Sequence, residues 1–206
     1  MKPLLTAIRF FIFFTILTGI FYPLAMTLIG HVFFARQTSG DILQRSNVSL
    51  GSSLIAQKFE SEKYFWPRPS SQNFNPMPSG GSNLGQGSAD LKTAYDERFA
   101  RLKAAHPGVG EPPQDLLFAS ASGLDPHISP EAASFQLNRV AKSRKLDVTA
   151  VSKLIAEMTE PRQFGFLGDP RVNVLALNLA LDRSQGVTSV PVLLPVSTPA
   201  SPPTGR

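Results

Sequence analysis

Between Arg9 and Arg36 the chain runs from Phe10 to Ala35 without a single Asp, Glu, Lys or Arg. As a helix rising 1.5 Å per residue this stretch is roughly 39 Å long, enough to cross a hydrocarbon core of about 30 Å with some tilt. A secretory signal has a shorter apolar region followed by a small-x-small cleavage site, and His31-Val32-Phe33-Phe34-Ala35 offers none. The expectation is a retained membrane anchor over residues 10–35. Charged residues make up 17% of the chain, below the roughly 25% of soluble domains, as a membrane segment requires. Pro23 and Gly19 lie inside the span, where membrane helices tolerate both. Thr6, Thr15, Thr18 and Thr27 could hydrogen-bond across to a partner helix or back to their own carbonyls.

Orientation follows from the flanks. Lys2, Arg9 and the amino terminus precede the span, and Arg36, Asp41 and Arg45 follow it. The positive-inside rule therefore favours a cytoplasmic segment 1–9 and an extracytoplasmic domain over 36–182. With no cysteine in the chain there is no disulfide framework, thiolate metal site or cysteine nucleophile. The only imidazoles are His31, His106 and His127, and no metal site is expected. The net charge of +5 comes without a nucleic-acid motif or a basic stripe, so no nucleic-acid partner is expected.

The body reads as α+β. Residues 51–65 form a short apolar element, helix or strand, leading into the aromatic run Tyr64-Phe65-Trp66. Residues 66–88 are dominated by Pro, Gly, Ser and Asn, a long loop that Trp66, Phe74, Met77 and Leu84 should pack. Ser88 opens a helix with Leu91, Tyr95, Phe99 and Leu102 on one face, stopped at His106-Pro107-Gly108. Asp115 to Ala121 reads as a short apolar strand. Ser129-Pro130-Glu131 starts a helix that runs to about Arg144. Asp147 or Thr149 starts another, with Val151, Leu154, Ile155 and Met158 inward, ending before Pro161. Val172 to Leu181 is apolar on both faces, and Asp169-Pro170 as an entry favours a helix there. Residues 183–206 are proline-rich without an acidic group, which predicts an extended tail.

Four segments together resemble a known family. They are Tyr64-Phe65-Trp66-Pro67-Arg68-Pro69-Ser70, Ser79-Gly80-Gly81-Ser82-Asn83-Leu84-Gly85, the run from Ser120 to Ala133 around Ser122-Gly123-Leu124-Asp125-Pro126-His127, and Pro170-Arg171-Val172-Asn173-Val174-Leu175. In this order after one N-terminal span they closely resemble the C subunit of the Kdp potassium-transporting ATPase. Gln86-Gly87-Ser88-Ala89-Asp90 departs from the family's Pro-Thr-Asn-Pro type of sequence, and the proline-rich tail is private to this chain. The resemblance implies a bacterial inner-membrane complex of four subunits. Its A subunit carries potassium, its B subunit is a P-type ATPase phosphorylated by ATP, and a small F subunit accompanies them. The C subunit, held in the lipid bilayer, is implied to be non-catalytic: it assembles the complex and acts as a catalytic chaperone that raises the B subunit's affinity for ATP.

Each candidate site has a functional and a structural reading. Ser79, Gly80, Gly81, Ser82 and Asn83 could cradle a nucleotide phosphate shared with the B subunit, in the manner of the ABC-transporter signature loop. They could equally form a glycine-rich turn that bonds its own backbone. No Gly-x-x-x-x-Gly-Lys-Ser/Thr loop occurs, so no tightly bound cofactor is expected. Asp125, His127 and Glu131 admit an acid–base reading, or a turn followed by a capped helix entry. Arg68 and Arg171, the latter beside Asn173, could grip a partner's carboxylates or an internal acid. Trp66 with its aromatic neighbours suits a core or an interface anchor. The candidate partner-docking residues are thus Trp66, Arg68, Asp125, His127, Arg171 and Asn173. With no nucleophile beside a base, an accessory role is expected in place of an enzyme.

Overall fold

The structure, a computed structural model, describes residues 2–45 and 48–186. Most of the expected tail, from 187 onward, lies outside the described residues. The chain divides into one unit up to Ile42 and a second from Leu43 onward.

In the first unit, α1 (Lys2–Ile16) and α2 (Tyr22–Phe33) join through a π-helical turn, Leu17–Phe21. The combined helix is long and apolar enough to cross a membrane, and none of its most apolar window is buried. It starts at Lys2, well before Phe10, and ends at Phe33. Pro23 explains the wide turn: it has no N–H for the carbonyl four residues back, and the Tyr22 N–H reaches Leu17 O, five residues back. Thr6, Thr18 and Thr27 each donate to the carbonyl four residues before them, at 3.0, 2.7 and 2.8 Å. A short helix, α3 (Ala35–Thr38), follows, and Arg36 pairs with Asp41.

The second unit starts within β1 (Ile42–Arg45), which forms a two-stranded sheet with β2 (Val48–Ser52). Residues 53–88 are then irregular, so the element expected over 51–65 as helix or strand is strand only as far as Ser52 and neither beyond it. Trp66 is buried and Phe74 half-buried, but Met77 and Leu84, expected as anchors, are exposed. Helix α4 (Ala89–Ala105) begins after Ser88 and ends at His106, with Leu102 buried and Leu91, Tyr95 and Phe99 half-buried.

The strand expected over Asp115–Ala121 is absent, replaced by a single helical turn, α5 (Gln114–Leu117). The turn buries the adjacent Leu116 and Leu117 together, where a strand would send one of them outward. Strand β3 (His127–Ile128) leads into α6 (Pro130–Arg144), capped as expected by Ser129 Oγ accepting from Ala132 N–H at 3.0 Å. After a left-handed Lys145, Asp147 caps α7 (Val148–Met158), which buries Val151 and Ile155.

Strand β4 (Thr159–Glu160) and β5 (Arg171–Asn173) complete a three-stranded antiparallel sheet of order β3-β5-β4, in which Val172 faces Ile128 on one side and Thr159 on the other. Asn173 then caps α8 (Val174–Ser184), so the entry at Asp169-Pro170 is replaced by one at Asn173. Its side-chain oxygen accepts from Ala176 N–H at 3.0 Å. Arg183 and Ser184, read as tail, belong to this helix.

Between β4 and β5 a small hairpin leaves the body. Gln163 and Leu167 exchange two backbone hydrogen bonds of 2.9 Å, closed by a turn with Phe164 at φ 53° and Gly165 at φ 83°.

Helices α6, α7 and α8 pack in sequence against one another and on β5, around Ile128, Ala132, Val140, Val172, Leu177 and Leu181. Polar side chains penetrate this core to hold the irregular segment Glu62–Trp66. Phe65 N–H donates to Asn178 Oδ1 at 2.8 Å and Asn178 Nδ2 returns to Phe65 O at 3.0 Å. Trp66 makes the same reciprocal pair with Gln136, at 2.8 and 3.1 Å. Arg139 donates to the carbonyls of Glu62 and Tyr64, and Arg144 to that of Lys63. These side chains take the place of a neighbouring strand, satisfying backbone groups that burial would otherwise orphan.

Candidate functional site

Four of the candidate docking residues come together. Arg68, Asp125, His127 and Arg171 line one shallow groove of about 370 Å³, with Asp115, Ser129 and Asp169 among its other walls. Arg68 stands between Pro67 and Pro69, two residues after the clamped Trp66. Its Nη1 donates to Asp125 Oδ2 at 2.9 Å. Asp125 Oδ1 accepts the His127 backbone N–H at 3.0 Å, and the His127 ring Nδ1 stands 3.6 Å away. Burial alone would raise the Asp125 carboxyl; the hydrogen bonds from His127 and the Arg68 guanidinium together hold it below its ordinary value. Asp115 Oδ2 accepts from Ser129 N–H at 2.8 Å, tying the start of α6 to α5. Arg171 on β5 pairs with Glu160 opposite it on β4 at 2.9 Å, both half-open to water.

Within the groove Arg68 and Asp125 match each other, Asp169 and Arg171 are paired with Arg162 and Glu160 outside it, and Asp115 is held by a backbone N–H, so the groove can offer a partner hydrogen bonds. The expected turn and helix entry account for Asp125, His127 and Ser129, and Glu131 lies exposed in the first turn of α6.

Trp66 and Asn173 lie outside this groove. Asn173 caps α8 and donates through Nδ2 to Ser53 O at 2.8 Å. The Trp66 ring is buried, with the guanidiniums of Arg139 and Arg101 over it at 4.0 and 4.7 Å. Both serve the fold.

The Ser79–Asn83 segment is also elsewhere. Ser71 Oγ donates to Gly80 O at 2.7 Å. A Cβ on Gly81 would come within 3.0 Å of Ala121 O, and one on Gly123, at φ +69°, within 2.9 Å of Gly80 O. The glycines of two resembling motifs thus let two loops touch backbone to backbone. Ser79, Ser82 and Asn83 are exposed.

The interior polar set, His106, Gln136, Arg139, Arg144, Asn178 and Asp182, was not anticipated. Its trace was present: Gln136 and Arg139 interrupt the apolar face that Ala132, Phe135 and Val140 make on α6. Burial lowers the Arg139 pKa to about 10, leaving it a cation at neutral pH.

Known proteins match this chain along nearly its whole described length. The family model for the K+-transporting ATPase, c chain, covers residues 4–183. The potassium-transporting ATPase KdpC subunit of Geotalea uraniireducens is 51% identical over 190 residues, spanning 89% of this chain and 98% of the relative. That of Geobacter sulfurreducens is 50% identical over 187 residues, 88% and 98% of the two chains. The Methylococcus capsulatus subunit is 49% identical over 172 residues, 82% and 90%. With four motifs in order, an N-terminal apolar helix and an α+β body, the chain belongs to the KdpC family, accessory subunits of the potassium-transporting ATPase.

Proposed function

We propose that this chain anchors in the inner membrane through Lys2–Phe33, holds its α+β domain on the extracytoplasmic side, and stabilises the pump by docking on the potassium-translocating A subunit. The observation that carries the reading is the N-terminal apolar helix, none of whose most apolar window is buried. The charges support the orientation: Lys2 and Arg9 lie at the helix's N-terminal end, before its charge-free run from Phe10, while Arg36 beyond its other end is paired with Asp41. Docking would favour the assembled state by mass action. An effect on the B subunit's affinity for ATP, the chaperone role, would then be a coupling free energy across the membrane, because ATP is cytoplasmic.

The test uses the chain's lack of cysteine. Ser88 precedes α4 without a side-chain capping bond, so Ser88→Cys should leave the fold intact. Labelling of that cysteine by a membrane-impermeant maleimide in spheroplasts supports the outside domain. Protection until the membrane is opened overturns it. Coupling is read from the KM for ATP of the pump with and without this subunit; equal values remove the chaperone role.

The exposure of Ser79, Ser82 and Asn83 supports one rival, direct nucleotide contact through this loop. It requires the domain inside the cell and saturable ATP binding by the full-length chain in detergent.

A further inference from the structure

The least buried aromatic side chains of the second unit sit together on the hairpin between β4 and β5. Phe164 is 86%, Phe166 71% and Leu167 47% exposed, and every residue from 161 to 170 is exposed. Two backbone hydrogen bonds between Gln163 and Leu167 brace the hairpin, and Arg162 pairs with Asp169 at 2.9 Å across its base. The tip is therefore presented on a braced base.

Turn chemistry does not account for the tip. A turn with positive φ at both central positions favours Asn-Gly, and a bulky aromatic side chain is disfavoured there. Phe164 nevertheless occupies the first such position, at φ 53°, and gains no burial within the unit. We propose that Phe164, Phe166 and Leu167 form a plug that seats in an apolar socket on a partner subunit of the same pump. This rests on the reading of the chain as a docked subunit.

Charge and area select that partner. A tip built for anionic lipid would carry unpaired Lys or Arg with interfacial Trp or Tyr. Here Arg162 is matched by Asp169, and Arg171 at the hairpin's foot by Glu160. Two aromatic rings and a leucine offer roughly 400–500 Å² of contact, against the roughly 800 Å² per partner that a stable interface between free molecules needs. The plug is too small to hold a second copy of the chain, but it suffices where other contacts already keep the partner at high effective concentration. Preorganised aromatic groups of this kind act as hot spots within a larger interface.

The test replaces Phe164 with p-benzoylphenylalanine in the full-length chain within the assembled pump, followed by irradiation and mass spectrometry. The expected product is an adduct with another pump subunit. An adduct with lipid, an adduct with a second copy of this chain, or no adduct overturns the proposal. A second arm combines Phe164→Ser with Phe166→Ser. Retention in the purified pump should fall about tenfold while the thermal midpoint of the isolated full-length chain stays unchanged; undiminished retention also overturns the proposal. Should the unaltered chain fail to co-purify with pump subunits, the subunit reading itself falls, an outcome distinct from loss caused by the variants alone.

Discussion

His106 and Arg139 meet inside the domain with the arginine as donor: its Nε–H points at His106 Nε2 across 2.9 Å. The other ring nitrogen, Nδ1, lies 2.8 Å from Leu102 O, so the network assigns the proton to Nδ1 and leaves the imidazole neutral. Burial lowers the His106 pKa; the Leu102 carbonyl opposes that and the Arg139 charge reinforces it.

The pair predicts a stability that depends on pH. A depressed folded pKa means that the unfolded chain binds the extra proton first. The contribution is complete above the unfolded histidine value, about 6.5, and is lost as pH falls through it towards the lower folded value. Urea unfolding of the full-length chain in detergent should show falling stability from pH 7.5 to 5. His106→Gln, without a titratable ring, should flatten its share of that slope whatever its absolute stability. An unchanged slope would mean that His106 is not the responsible group.

Gln136 satisfies both backbone groups of Trp66 in the core. Gln136→Leu keeps the volume close and orphans both, which should destabilise the domain by about 3 kcal/mol. Denaturant midpoints measure this, and a loss below about 1 kcal/mol would show that the segment can find other partners.

Arg144 and Asp182 form a buried ion pair at 2.8 Å, their side chains 4% and 1% exposed. Removing either partner strands the other charge, so Arg144→Met and Asp182→Leu should each cost about 3–5 kcal/mol. The double variant should lose clearly less than the sum, because neither member of the pair is left stranded. Tyr64, whose hydroxyl donates to Asp182 at 3.2 Å, has its pKa raised by burial and by that carboxylate. The Tyr64 titration should therefore move towards its ordinary value in the double variant, as ultraviolet difference spectra would record. Strict additivity of the two stability losses would refute the coupling.

Gly123 combines φ +69° with a backbone oxygen 2.9 Å from where a Cβ would sit. Gly123→Ala should destabilise by about 2 kcal/mol. Gly87, with nothing within 4 Å of its Cβ position, should accept alanine within about 1 kcal/mol of neutral. Equal tolerance at both positions would show that the two loops do not need their close approach.

How much of this could be read beforehand depended on range. Ser129 marks the start of α6, and Asp147, one of the two starts open for α7, caps it, because a cap and the helix it starts lie within a few residues of each other. The three-stranded sheet was invisible: strands as short as His127–Ile128 and Thr159–Glu160 cannot display an alternating pattern. Asp115–Ala121 misled because Leu116, Leu117 and Phe118 form an apolar run that strand and helix share. Of the docking candidates, Arg68, Asp125, His127 and Arg171 gather at one groove, while Trp66 and Asn173 support the core. Nothing local distinguishes an arginine facing a groove from one facing an acid in the interior, since that depends on distant elements.

The side-chain clamp on Glu62–Trp66 also sets an order of assembly. Phe65 is bound by Asn178 and Tyr64 by Asp182, partners 113 and 118 residues further along. On the ribosome, Trp66 gains its backbone partner Gln136 once α6 has been made, but the Phe65 backbone and the Tyr64 hydroxyl wait for theirs until α8 has been made. Contacts of such high sequence separation slow folding, and apolar surface exposed during that wait invites aggregation. A chain cut before α8 keeps all of the aromatic segment and lacks the helix that closes over it, so the domain's competence to fold depends on a helix made more than a hundred residues later.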